Sequence, residues 1–319
     1  MRFYKRFILL TCIILPLGAM AQIRYSAPLD GEISKKLWST QDSKLVCRLI
    51  HDIPGFGHAD FKTYAGRERK SSLEIYPKLG INQPSSMRFI ATKPEWQSGG
   101  REELLGKVDL YNGFNPYAGA TLSWKILSAL NDGKQVLMPY TDEKRASGQN
   151  IIPTLSPLGF KKPYDSYLNC QQNLLKVNYS DVQMLPLAFL FRTSELTKNS
   201  QERLKSQIEY IKQDASVKKI TIKAYAYEMP NRAENIKVAE ERGLAIKAIY
   251  TEAGIKDEII DIEKFNSLTL PRAAETEGTP EDHSITSRSA LILLERDSSL
   301  IDRELDANVP DVGAETGEY

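Results

Sequence analysis

The chain has 319 residues, and its 42 Lys and Arg stand against 41 Asp and Glu for a formal net charge of +1. Three of the basic residues, Arg2, Lys5 and Arg6, lie in an N-terminal segment expected to be removed, which takes the charge to 1 − 3 = −2 and argues against a broad electrostatic affinity for nucleic acid. No later stretch reaches the roughly 20 apolar residues of a membrane span, and about 300 remaining residues are enough for two domains with separate cores.

Arg2, Lys5 and Arg6 precede an apolar run over 7–17 and the small-x-small pattern Ala19-Met20-Ala21, the layout of an export signal at 1–21 cleaved after Ala21. Pro16 and the shortness of the run disfavour an uncleaved anchor, and Cys12 lacks the small residue that usually precedes a lipidated cysteine. No membrane insertion is expected after signal cleavage. Export leaves Cys47 and Cys170 in an oxidising compartment, where an isolated pair is most simply a disulfide. A Cys47 nucleophile served by His51 is the competing reading, but on a strand the two side chains stand about 13 Å apart.

From 22 to 180 short β-like runs alternate with turn residues. Strands are expected over 44–50, after Pro54-Gly55-Phe56-Gly57 over 59–64, and then over 72–76, 87–92 and 134–139. One helix is expected over 121–130, where Leu122, Ile126 and Leu130 recur at helical spacing and Asn131-Asp132-Gly133 ends it. A second, over 164–175, carries Cys170 and would tie a late helix to an early strand.

From 181 to 296 the rhythm changes. A strand over 185–191 leads to a helix capped by Thr197 or Asn199, with Leu204, Ile208 and Ile211 on one face. A strand over 217–226 follows, then a helix over 232–253 with Ile236, Ala239, Gly243, Ile246 and Tyr250 on its buried side and Gly254 as terminator. Strands over 259–263 and 290–294 complete a β-α-β-α-β-β order, for which a two-layer sandwich is the economical solution. The fold class is therefore α+β: a β-rich N-terminal domain with few helices, then a C-terminal two-layer α/β sandwich. Residues 266–287 read as an unstructured loop, mobile near the ligand site, and the acidic tail 297–319 as disordered and solvated.

The second half resembles the OmpA-like peptidoglycan-associating domain. In that family a Thr-Asp pair ends a strand, an Asn and an Arg follow on the next helix, and an Asn-Arg-Arg-Val comes later. The matching positions here are Ala226-Tyr227, Asn235 and Arg242, eight and fifteen places after Tyr227, and Ser287-Arg288-Ser289-Ala290. Val238 and Ala239 stand where the family has Leu-Ser. The resemblance makes Arg242, Asn235, Tyr227 and Arg288 candidate contacts to a peptidoglycan stem peptide. A guanidinium forks onto a stem-peptide carboxylate, but Tyr227 offers a neutral phenol where the family's Asp would take the ammonium.

Up to about residue 296 the chain is also similar to the MotY family of periplasmic flagellar motor components of sodium-driven polar flagella. Arg24-Tyr25, Cys47 with Leu49-Ile50-His51, Ile53-Pro54-Gly55-Phe56-Gly57, Pro94-Glu95-Trp96, Gly119 with Trp124-Lys125-Ile126-Leu127, and Asn169-Cys170 with Asn173-Leu174-Leu175 occur in that family's order. The resemblance implies a T-ring subunit that docks on the flagellar basal body ring, recruits a MotX-like partner and helps anchor the stator complex to the wall. A generic OmpA-like envelope tether is the alternative, and a cell-wall hydrolase a further one. Catalysis is not expected: His51, His58 and His283 lack zinc spacing, no Gly-x-Ser-x-Gly elbow is present, and Gly55-x-Gly57 is too short for a phosphate loop. No cofactor or metal is expected.

Overall fold

The computed structural model describes residues 22–27, 36–142, 149–226, 229–263 and 288–297. The expected signal peptide, residues 266–287, Tyr227 and the tail beyond Asp297 lie outside them.

Strand β1 (Gln22–Tyr25) pairs in parallel with β11, described below. Next comes an antiparallel meander of β2 (Trp38–Asp42), β3 (Val46–Ile53), β4 (Gly57–Tyr64) and β5 (Ser71–Pro77). Its inner face is read directly from the alternation: Leu49 pairs with Phe61 and Phe61 with Leu73, all three fully buried. The opposite face carries Arg48, Asp60, Lys62 and Glu74 in a chain of ion pairs, with Asp60 and Lys62 themselves buried. The turn between β3 and β4 requires glycine: Gly57 has φ +151°, and a Cβ there would sit 1.9 Å from the Tyr76 carbonyl oxygen.

Strands β6 (Ser85–Thr92) and β7 (Glu103–Leu110) open a second sheet, while β8 (Tyr117–Ala118) returns to β5. Helix α1 (Ala120–Asn131) packs on β5 of one sheet and on β6 and β7 of the other. Strands β9 (Gln135–Leu137), β10 (Tyr140–Asp142) and β11 (Gln149–Leu155) complete the second sheet in the order β1-β11-β9-β6-β7, with β10 paired to β11.

Helix α2 (Lys161–Asn173) lies on β2 and β3. It is fastened there by the disulfide Cys47–Cys170, with Cα atoms 5.9 Å apart, and by a buried hydroxyl cluster in which Tyr167 lies 2.7 Å from Thr63 and Gln171 donates to Thr63 at 2.8 Å. The expected link between a late helix and an early strand is thus present.

His51 projects from the same β3 face as Cys47. It packs on Trp38 at 4.4 Å between centroids, and its Nε2 accepts from the Ser156 amide at 3.4 Å. Burial keeps the imidazole neutral and pushes its pKa down to about 3. In the unfolded chain the same group titrates near 6.5, so between these values the unfolded state binds the extra proton. Stability from this residue is therefore complete above about pH 6.5 and falls by about 1.4 kcal/mol per pH unit on acidification, levelling off near pH 3. Denaturant midpoints at pH 7 and 4.5 should show the parent losing about 2 to 3 kcal/mol more than His51→Gln. Equal losses in both proteins would remove His51 as the cause.

A short helix, α3 (Tyr179–Val182), capped by an Asn178–Asp181 box, introduces the second half. There β12 (Met184–Ala188), helix α4 (Lys198–Ile211), β13 (Val217–Ala224), helix α5 (Arg232–Glu252), a single 3-10 turn, β14 (Ile260–Glu263) and β15 (Ser289–Arg296) follow one another. The sheet order is β12-β15-β13-β14, with β13 and β14 parallel and β15 antiparallel to both its neighbours. Leu204, Ile208 and Ile211 of α4 and Ile246 and Tyr250 of α5 are buried with Ile220, Ile222, Ile292 and Leu294 of the sheet. The two-layer sandwich is the observed arrangement. Thr197 is the cap of α4, its hydroxyl accepting from the Ser200 amide, and Gly254 (φ +88°) ends α5.

Details of this half differ from the expectation, among them the end of β13 at Ala224 and not at residue 226. β12 stops at Ala188, three residues early, and Phe189-Leu190-Phe191 enter a loop. On α5 the buried line is Asn235, Arg242, Gly243, Ile246 and Tyr250, while Ile236 is exposed. Apolar residues occur all around this helix, so spacing alone does not single out the packed face. Gly243 decides it: a Cβ there would come within 2.9 Å of Ile262 Cγ2, so α5 lies closest to the sheet at that point.

Candidate functional site

Because β12 and β13 both run antiparallel to β15, their C-terminal ends and the start of β15 share one end of the sheet. Asn235, Arg242 and Arg288 are all brought to that end. Tyr227 belongs to the connection between β13 and α5, outside the described residues.

The first wall of the site is the loop after β12. Phe189 is bridged to Leu196, its amide donates to the Arg288 carbonyl at 2.8 Å, and the Leu190 amide donates to the Glu195 carbonyl at 2.8 Å. A turn inside that frame is closed by the Thr193 amide on the Leu190 carbonyl at 3.2 Å. The second wall is the end of β13, where the Tyr225 amide donates to the Ser289 carbonyl at 2.9 Å.

Helix α5 supplies the third wall. Asn231 caps it, accepting from the Glu234 amide at 2.9 Å. The Asn235 amide group then clasps the incoming chain, accepting from the Met229 N–H at 2.9 Å and donating to the Met229 and Asn231 carbonyls at 3.1 and 3.0 Å. Two turns further on the same face stands Arg242, at 0% exposure among the largest fully buried side chains. Its Nε donates to the Thr193 carbonyl at 2.8 Å and its Nη1 to the Tyr225 carbonyl at 2.9 Å. Its guanidinium carbon lies 4.8 Å from the centre of the Phe189 ring. One side chain thus fixes the separation of the loop after β12 and the end of β13, combining charge-assisted hydrogen bonds with a cation–π contact.

Arg288 enters β15 with its guanidinium carbon 5.9 Å from the centre of the Phe191 ring. Phe189, Phe191, Arg192 and Thr193 were not foreseen as site residues. The Phe189-Leu190-Phe191 run reads as a continuing strand, and the one hint against it is Arg192 directly after the aromatic.

The Arg242 guanidinium and the Asn235 amide hold main-chain groups of the loops at this end, and among the described residues no group of three or more His, Cys, Asp or Glu is placed to hold a metal ion.

The fold and this site define a class: an α+β sandwich of OmpA type preceded by a β-rich domain. Residues 27–176 match the MotY N-terminal domain and residues 188–285 the OmpA family. The sodium-type flagellar protein MotY of Vibrio parahaemolyticus is 24% identical over 239 residues, covering 75% of this chain and 80% of that protein. Among solved structures, the peptidoglycan-associated lipoprotein of Burkholderia pseudomallei aligns with 34% of this chain and 89% of its own at 18% identity and a TM-score of 0.30. The OmpA-like domain of FopA1 from Francisella tularensis aligns with 36% and 75% at 19% identity and a TM-score of 0.29. The chain thus carries a MotY N-terminal domain over residues 27–176 and an OmpA-family domain over residues 188–285, and across 75% of its length it is similar to a sodium-type flagellar protein MotY.

Proposed function

We propose that this protein is a periplasmic, non-catalytic component of the flagellar motor. Its first half docks on the basal body as a T-ring subunit and recruits a MotX-like partner, and its second half holds the assembly, and with it the stator units, to peptidoglycan. The observation that carries this reading is the colinear succession of a MotY N-terminal domain and an OmpA-family domain, with one flagellar relative aligned across 75% of the chain. A generic envelope tether would need only the second of these domains. Imaging of basal bodies tests the motor role: the periplasmic ring is absent in a deletion strain and returns on complementation, while swimming is lost with the envelope intact. A ring unchanged by the deletion would remove the motor role, and envelope damage with normal swimming would favour the tether.

On the wall side, the stem peptide is received at the sheet end to which Asn235, Arg242 and Arg288 are brought, with Tyr227 a further candidate contact from the sequence register. Tyr227 leaves the stem-peptide ammonium without an anionic partner, so the grip is weaker than with a carboxylate there. Tyr227→Asp should tighten co-sedimentation with purified sacculi roughly tenfold. An unchanged or weaker affinity would mean that position 227 does not meet the ammonium.

A further inference from the structure

β7 closes the second sheet of the first half, and among the described residues it pairs with β6 alone. An open edge of this length is a template for another strand. The ladder shows which main-chain groups face outward. The Arg88 amide donates at 3.1 Å to the carbonyl of Pro139, just beyond β9, on the side of β6 away from β7. Arg88 and Lys107 therefore form a non-hydrogen-bonded pair, and Lys107 turns its N–H and C=O to the open side, as does Asp109 two residues on. Directly opposed residues share a face, so Arg88 and Lys107 are like charges side by side, an unfavourable arrangement. Both are exposed, and among the described residues neither has an ion pair. Near the two ends of the strand stand Leu104, 64% exposed, and Tyr111, 51% exposed. A lysine on an edge repels an added strand, except where the newcomer sets a carboxylate opposite it.

We propose that β7 pairs with β7 of a second copy of this chain, antiparallel about a two-fold axis at Val108. This register sets Lys107 of each copy opposite Asp109 of the other. Both residues already turn their main chain outward, so each such pair exchanges two main-chain hydrogen bonds and adds an ion pair. Lys107 thereby gains a carboxylate to set against Arg88. Leu105 of one copy comes opposite Tyr111 of the other, which brings the exposed Leu104 and Tyr111 together from both sides. A two-fold axis at Lys107 would oppose lysine to lysine, and one at Asp109 aspartate to aspartate, so the charges of β7 select the axis between them. A contact of this isologous kind closes on itself as a dimer. Pairing through β7 involves only the first half and stands apart from wall binding by the second.

The test is the oligomeric state of the full mature chain, measured by sedimentation velocity over a range of concentrations, with urea unfolding of each variant followed alongside. The parent should reach a dimer as its concentration rises. Lys107→Asp and Asp109→Lys should each associate roughly tenfold more weakly or worse. Both should keep the parent's urea transition, and Lys107→Asp should not fall below it, since it removes the repulsion with Arg88. Mixed in equal amounts, the two variants should dimerise again, because each then opposes two aspartates to two lysines. The double variant Lys107→Asp/Asp109→Lys should dimerise by itself. On oxidation, Val108→Cys should give a disulfide-linked dimer, which adding Lys107→Asp suppresses. A parent that stays monomeric at every concentration overturns the proposal and leaves the edge to solvent or to a different protein. A dimer that both single substitutions leave intact also overturns it and places the contact elsewhere on the chain. Single variants that separate but do not recover on mixing overturn the two-fold register.

Discussion

Replacing Cys47 and Cys170 together by alanine should destabilise the N-terminal half by about 4 to 5 kcal/mol in the chain-entropy model, because the bridge closes a loop of sequence separation 123. Alanine is the suitable replacement, since Cys47 is fully buried and a serine hydroxyl there would need a partner. The measurement is selective by nature. The chain's three tryptophans, Trp38, Trp96 and Trp124, all lie in the first half, so fluorescence follows that half alone. Reducing the parent should move its urea transition onto that of the double variant. A shift worth less than about 1 kcal/mol would mean that native strain or residual structure in the unfolded chain offsets the loop entropy. Helix α2 is the element expected to loosen first, held then by its buried packing and by the hydrogen bonds of Tyr167 and Gln171 to Thr63 and Ser71.

The second large effect is expected at Arg242. Arg242→Met keeps most of the buried stem and removes the guanidinium, stranding the Thr193 and Tyr225 carbonyls that now accept from it. Loss of two charge-assisted hydrogen bonds in a fully buried place should cost the second half about 3 to 5 kcal/mol. Arg242→Lys should recover little of this, because an ammonium cannot reproduce the fork that reaches two carbonyls at once. Far-UV circular dichroism, dominated in this half by α4 and α5, follows the transition. Amide exchange at Thr193 and Glu195 should accelerate in both variants. Near-parental stability combined with lost sacculus binding would instead make Arg242 a ligand group and not a staple.

Much of the architecture was legible in the residue pattern. Thr197 and Gly254 marked the limits of their helices because capping and left-handed termination are local demands met by particular side chains. The alternation of Ile220, Ile222 and Ala224 marked the buried face of β13, since a strand's period of two is written in consecutive letters. β7 escaped notice because its Leu104-Leu105-Gly106-Lys107 run has no clean alternation. It is an edge strand whose register slips against β6 between Phe89 and Ile90, and a slip of that kind breaks the period that betrays a strand. β1 and β11 pair in parallel across more than a hundred residues, and nothing local announces such a partner.

Arg242 separates what the two levels of description decide. The sequence by itself determined its place on a helix, its spacing from Asn235 and the order of domains around it, because periodicity, caps and motif spacing are properties of neighbouring letters. Only the tertiary structure decided its partners. They are main-chain carbonyls 49 and 17 positions away, and a carbonyl oxygen belongs to every residue, so an arginine bound to one leaves no complementary letter to be read.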